Sequence, residues 1–275
     1  MRRTPALHRR ARVFPPPVQV GQYCRVKRTS VAAAAGAAAL ATAAIVGSSY
    51  VSLQAVAIAA ALACIVAAVG WPHILRVPAK KSQSAAIGLA ALLAVVLTAT
   101  APGPSFLTWF PASVALGVGA VFMIQLVRGT GQSHRLESTL GASSGVVAVG
   151  MGAGWVAADR LAVNAADSGM TLVTGVSILV AIAVCLLPLP DRLVAPAAVL
   201  LATLAGPLGA LLFTDVPALA AAVVGLACGA IMAGTRRLLV AREAPLAAVA
   251  SIAAGVTPVL AIGAVVYFLD KLFLS

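Results

Sequence analysis

The sequence predicts an all-α, polytopic transmembrane helix bundle of about nine spans, with its N-terminus inside and its C-terminus outside. Three observations carry that expectation. Charged residues make up only 9% of the 275 positions, 19 Lys+Arg and 7 Asp+Glu, against about 25% in an average soluble domain. Hydrophobic residues make up 61% and the mean hydropathy is +1.05. The apolar residues also gather into long runs free of Asp, Glu, Lys, Arg and His. They do not alternate with polar ones, as strands of a membrane barrel would. Too few charges remain to cover a soluble surface. A soluble globular enzyme is excluded, and so is disorder, which requires low hydrophobicity. Four cysteines are too sparse for a disulfide scaffold.

The elements follow in chain order. Residues 1–30 carry Arg2, Arg3, Arg9, Arg10, Arg12, Arg25, Lys27 and Arg28 and no acid. Pro15, Pro16 and Pro17 interrupt any helix there, so the stretch reads as a disordered basic cytoplasmic tail. The Val26-Lys-Arg-Thr-Ser segment has the look of a start followed by a first span. On that reading residues 1–25 derive from an upstream start codon. The transmembrane domain is expected over 31–275. A span needs about 20 apolar residues, with a range near 17–25. Nine runs qualify: 31–47, 51–71, 84–101, 112–127, 139–157, 171–189, 193–213, 217–234 and 246–268. The fourth is short, and its start is expected a few residues earlier.

The first run is mostly alanine, and charge placement rather than hydropathy retains it. Positive loops stay in the cytoplasm. Nine spans with the tail inside put Arg76, Lys80, Lys81, Arg128, Arg135, Arg192, Arg236, Arg237 and Arg242 in inner joints. Only Arg160 and Lys271 are left outside. Omitting the first run moves all nine inner bases to the wrong face. The run is not read as a cleaved signal peptide, because the next begins straight after Ser48-Ser49-Tyr50. The formal net charge of +12 is therefore a threading signal and not a nucleic-acid footprint.

Small residues forecast helix packing. Ala221, Gly225, Gly229 and Ala233 lie four apart, as do Gly141 and Gly145, and Gly150 and Gly154. Without a hydrophobic force between helices in lipid, close backbone approach drives association, so these are helix-packing seams. Gly206-Pro207 and Gly255 with Pro258 lie mid-span and are expected to kink the seventh and ninth spans. The recurrence of inner joints about every 53 residues is what any hairpin of two spans plus loops would give.

Chemistry is scarce. The runs hold hydroxyls and amides (Thr42, Thr98, Ser143, Ser144, Thr174, Ser177, Thr203, Ser251, Thr257, Gln54, Gln125) but no ionisable side chain. Proton-coupled transport normally relies on one, so it is disfavoured. Candidate interfacial groups are His73, His134, Glu137, Asp159, Asp167, Asp191, Asp215 and Asp270, scattered over both faces. They form no His-x-x-x-His, Asp-x-x-Asp or Cys-x-x-Cys pattern. No metal, cofactor or catalytic residue is assigned. Cys64, Cys185 and Cys228 read as small apolar packers. In the joint 128–138, Arg128, His134 and Arg135 can meet an anionic headgroup or phosphate. Trp71, Phe106, Trp109 and Trp155 read as interfacial anchors.

Gly70-Trp71-Pro72, the segment from Arg128 to Arg135-Leu136-Glu137-Ser138, and Gly154-Trp155 carry a resemblance. With them the chain resembles, over about 31 to 270, a family of small Ala-rich multi-pass proteins from actinobacteria that has no assigned activity. The resemblance implies a bacterial plasma membrane and transfers no functional residue. Three roles stay open. One is a non-enzymatic accessory or scaffold subunit with a membrane-protein partner. The second is a small permease or lipid-handling transporter using the kinked seventh and ninth spans. The third is an interfacial enzyme. A solid bundle with an exposed seam on the eighth span favours the first, a polar cavity between the seventh and ninth the second, and clustered outer acids the third.

Overall fold

The computed structural model describes residues 17–75, 80–103, 105–127, 135–165, 169–242 and 246–273, with the side chains of 17–28, 135, 164 and 165 left aside. The described residues form ten helices and no strand. They are α1 (Pro17–Ser49), α2 (Leu53–Ile74), α3 (Lys80–Thr100), α4 (Phe110–Val127), α5 (Arg135–Gly150), α6 (Ala153–Ala165), α7 (Gly169–Cys185), α8 (Asp191–Phe213), α9 (Ala218–Ala241) and α10 (Ala248–Phe273). Eight stretches are long and apolar enough to cross a membrane. One of them, Leu136–Val163, joins α5 and α6. The shorter α7 has 17 residues, about 25 Å at 1.5 Å per residue. The protein is an integral membrane helix bundle.

The boundaries differ from the apolar runs in instructive ways. α1 starts well before residue 31, at Pro17. Proline suits a first helical turn, where its missing N–H would have no partner, and the basic residues Arg25, Lys27 and Arg28 fall within the range of α1. α2 is capped by Ser52, whose Oγ accepts from Ala55 N at 3.1 Å. α9 runs on to Ala241, past the end of its apolar run, and so carries Arg236 and Arg237 on helix. The fourth helix starts at Phe110, slightly ahead of its apolar run, as expected.

α10 is the hub of the bundle and packs on α1, α2, α6 and α9. Glycine and alanine make that possible. A methyl on Gly255 would strike the Ala34 carbonyl of α1, and one on Gly70 would strike Ala253 and sit 2.6 Å from the Val249 carbonyl. α8 and α9 form the tightest hairpin. There Gly206 lies against the Ala221 carbonyl and Gly225 against the Ala202 carbonyl, while a methyl on Gly229 would stand 2.8 Å from Val199 Cα. The seam of Ala221, Gly225, Gly229 and Ala233 is thus buried inside the chain.

Gly206-Pro207 and Gly255 with Pro258 were expected to mark kinks. Both helices run unbroken through these prolines, and both glycines are points of backbone contact with a neighbouring helix. The small cavity beside Gly255 and Pro258, about 40 Å³, is walled by α1, α7, α9 and α10 and is apolar apart from Thr235 and Arg236.

Long-range bonds fix which helix ends lie together. Trp71 Nε1 donates to Gly141 O at 2.8 Å, Arg242 Nη2 to Ile74 O at 2.6 Å, and Gln125 Nε2 to Ser138 Oγ at 3.0 Å. Arg236 pairs with Asp191 at 2.5 Å. These contacts gather the ends of α2, α4 and α9 with the starts of α5 and α8. The opposite end is tied by Arg160 to the close of α3 and by Lys271 Nζ to Ser105 Oγ at 3.4 Å.

Candidate functional site

The fifth apolar run, 139–157, does not end where its apolar residues end. Its helix breaks at Met151-Gly152, resumes, and runs to Ala165. At the break the backbone tightens from four-residue to three-residue steps. Gly152 N donates to Val149 O at 3.1 Å, Gly154 N to Met151 O at 2.9 Å and Trp155 N to Gly152 O at 3.2 Å. Such tight turns inside a helix mark hinges or strained sequence. The break is wedged between α2 and α10: a methyl on Gly152 would come within 2.8 Å of both Cys64 Sγ and Leu260 Cδ2. Cys64 Sγ lies 3.4 Å from Val149 O as its hydrogen-bond donor.

Beyond the break, α6 is bolted to α10. Gly154 meets the Ala264 backbone directly, and Trp155 rests on Gly263. The indole Nε1 of Trp155 donates to Val259 O at 2.8 Å. Trp155 is 1% exposed and Phe106 2%. Neither is the interfacial anchor the sequence suggested. Phe106 is the floor under Arg160, whose guanidinium carbon sits 4.1 Å from the ring centroid. Arg160 Nη1 also donates to Thr98 O at 2.7 Å and Ala101 O at 2.9 Å. These are carbonyls at the end of α3, where a helix lacks its own donors.

Asp159 is the unexpected member. The sequence placed it in an outer joint and found no ionisable group inside a span. It lies one turn after Trp155 on α6, inside the stretch Leu136–Val163, and is 4% exposed. Its Oδ2 is buried and has no hydrogen-bond partner. A buried carboxylate oxygen without a partner is costly, and a proton, a water or a cation would satisfy it. The ground for disfavouring ion coupling is thereby removed. The signal was present in the sequence: Gly150, Gly152 and Gly154 forecast an interruption, and an interrupted helix can continue past its first charged residue.

The other forecast site residues sort plainly. Arg128 and His134 lie outside the described residues. Arg135 opens α5, with its side chain outside the description. Gly141 and Gly145 are sockets for side chains of α2: a methyl on Gly141 would stand 2.6 Å from Leu75 Cδ1, and Gly145 sits against the Trp71 ring. Gly150 faces Phe110 at 3.2 Å. Most hydroxyls bond back to their own helix, as expected of serine and threonine in spans. Examples are Thr42 to Ala38 O, Thr174 to Met170 O, Ser177 to Val173 O, Thr203 to Val199 O and Thr257 to Ala253 O. Their donor protons are thereby taken up within the helix.

Ser143 is different. Gly141-Ala-Ser143-Ser-Gly145 has the Gly-x-Ser-x-Gly spacing of hydrolase nucleophiles. Its Oγ is buried and unpartnered. It sits within the α5 helix, away from any strand-to-helix turn, so the context that makes this motif catalytic is missing. Asp215 is exposed, and Asp167 lies outside the described residues. Among the described residues no three His, Cys, Asp or Glu side chains are placed to hold a metal. No protein-family model, curated protein or solved structure matches this chain, so the reading rests on its own residues.

Proposed function

We propose that this protein is a small permease of the bacterial plasma membrane, with the interrupted fifth span as its working element. The observation that carries the proposal is Asp159, buried with an unpartnered oxygen just beyond a broken helix. Discontinuous helices and buried acids are the parts from which membrane transporters build ion and substrate sites. The basic joints support a cytoplasmic placement of the end that holds Asp191, Arg236 and Arg242, because positive loops are retained inside. The N-terminus is then inside and the C-terminus outside.

The test uses the purified full chain in liposomes loaded with a pH-sensitive dye, with an imposed proton gradient and then an imposed sodium gradient. Wild type dissipates one of the two gradients. Asp159→Asn, which keeps the shape and removes the charge, falls to the rate of empty liposomes. Equal flux in wild type and D159N contradicts the proposal.

A second reading, an accessory subunit, is favoured by one observation. α1 presents Ala33, Gly36, Leu40, Ala44 and Gly47 along an uncovered side, with Leu40 73% exposed and nothing within 4 Å of a methyl on Gly36 or Gly47. On this reading α1 docks a membrane-protein partner. Copurification in mild detergent separates the two: a partner lost on Gly36→Leu supports the subunit, and a lone monomer in wild type excludes it.

A further inference from the structure

The end of the bundle that holds the Asp191–Arg236 pair also holds an open cavity of about 210 Å³. Its walls are Val31 of α1, Cys185 at the end of α7, Leu186, Leu187 and Pro188 of the joint after it, and Arg236 and Val240 of α9. Val31, Cys185 and Arg236 are shared with the small apolar cavity beyond. The mouth is greasy: Leu186 is 50% exposed, Leu187 45% and Val240 37%.

Arg236 is nearly buried in this apolar frame, with 13% of its side chain exposed against 32% for Asp191. Its Nη1 is taken by Asp191 Oδ1. Its Nε is buried and has no partner. A guanidinium offers five donors in a rigid fork suited to two oxygens of one anion, and one carboxylate oxygen leaves that fork underused. The surrounding charge is positive. Arg192, next to Asp191 in the chain, and Arg237, next to Arg236, are both exposed. A single underused cation inside exposed apolar walls, at the end of a membrane bundle, matches an amphiphile with an anionic head.

We propose that this cavity holds the phosphate of one anionic phospholipid, to which the Arg236 guanidinium donates, with the acyl chains lying along Leu186, Leu187 and Val240. The site is independent of the permease proposal and uses none of the residues of the fifth span.

The test is native mass spectrometry of the full chain in mild detergent, titrated with phosphatidylglycerol and, separately, with phosphatidylcholine. Wild type retains one phosphatidylglycerol and prefers it to phosphatidylcholine. The double variant Asp191→Asn with Arg236→Gln removes both charges together and leaves neither orphaned. Its retention falls about tenfold to a hundredfold, the scale of a charge-assisted hydrogen bond. D191N alone frees the fork and tightens retention; R236K keeps the charge, loses the fork and weakens it. If the double variant does not fold, these two variants decide. Retention unchanged in the double variant, or no tightening in D191N, overturns the site. Displacement of the lipid by inorganic phosphate overturns the lipid assignment in favour of a free anion.

Discussion

Gly154→Val yields a protein that no longer packs α6 on α10. The methyl carbon alone already meets the Ala264 backbone and the Gly263 carbonyl carbon. Backbone cannot step aside as a flexible side chain can. Extra methylenes in a tight interior typically cost about 1–3 kcal/mol when side chains can shift, and two backbones in contact put this site at the top of that range or beyond. At roughly 2–4 °C per kcal/mol for a chain of this size, the thermal midpoint in mild detergent falls by about 10 °C. The measurement is a fluorescence melt beside size-exclusion chromatography. Gly36→Val is the control, since a methyl there meets nothing within 4 Å, and it leaves the midpoint in place. A G154V protein that melts like wild type would mean that α6 and α10 do not approach as closely as described.

Trp155→Ala is the second large effect. The indole is 1% exposed and is among the largest fully buried side chains of the bundle. Removing it opens a cavity between α6 and α10 and leaves Val259 O without its indole donor. Large-to-small changes of this kind cost about 3–5 kcal/mol. Trp155→Phe separates the two contributions. It keeps most of the ring and loses the hydrogen bond, which costs about 1–3 kcal/mol for a buried acceptor left unpaired. The expected order of midpoints is wild type, then W155F, then W155A. In lipid the apolar transfer contribution is smaller than in water, so the hydrogen-bond step should form a larger share of the total than it would in a soluble core. Identical midpoints for all three would place Trp155 at the interface, where the sequence had suggested it.

These two residues also mark where the sequence was sufficient and where it was not. The all-helical class and the positions of the long apolar stretches follow from composition and from charge-free runs, because a bilayer tolerates little else. The seam of Ala221, Gly225 and Gly229 was legible as a packing face, and it is one. Its partner, α8, was not legible, since residue spacing tells which face packs and not against what. Trp155 next to Gly154 reads locally as an interfacial aromatic. Only α10 passing over it makes it core, and that is a long-range fact. Asp159 was missed for a related reason. Ending a span at its first charge is sound for a helix facing lipid, but α6 faces the inside of the bundle. Gly206 and Gly255, read from the sequence as kink positions beside Pro207 and Pro258, are also points of close backbone contact with α9 and α1.

Nine crossings are the expectation drawn from the charge-free runs and the placement of the basic joints. They depend on counting the interrupted α5–α6 pair as one crossing and the 17-residue α7 as another. An odd number puts the two termini on opposite sides of the membrane. The direct measurement is a pair of fusions after Ser275 in living bacteria, one to a phosphatase active only after export and one to a fluorescent protein that matures only in the cytoplasm. With the C-terminus outside, the phosphatase is active and the fluorescent protein is dark. A fluorescent C-terminal fusion with an inactive phosphatase would contradict that placement.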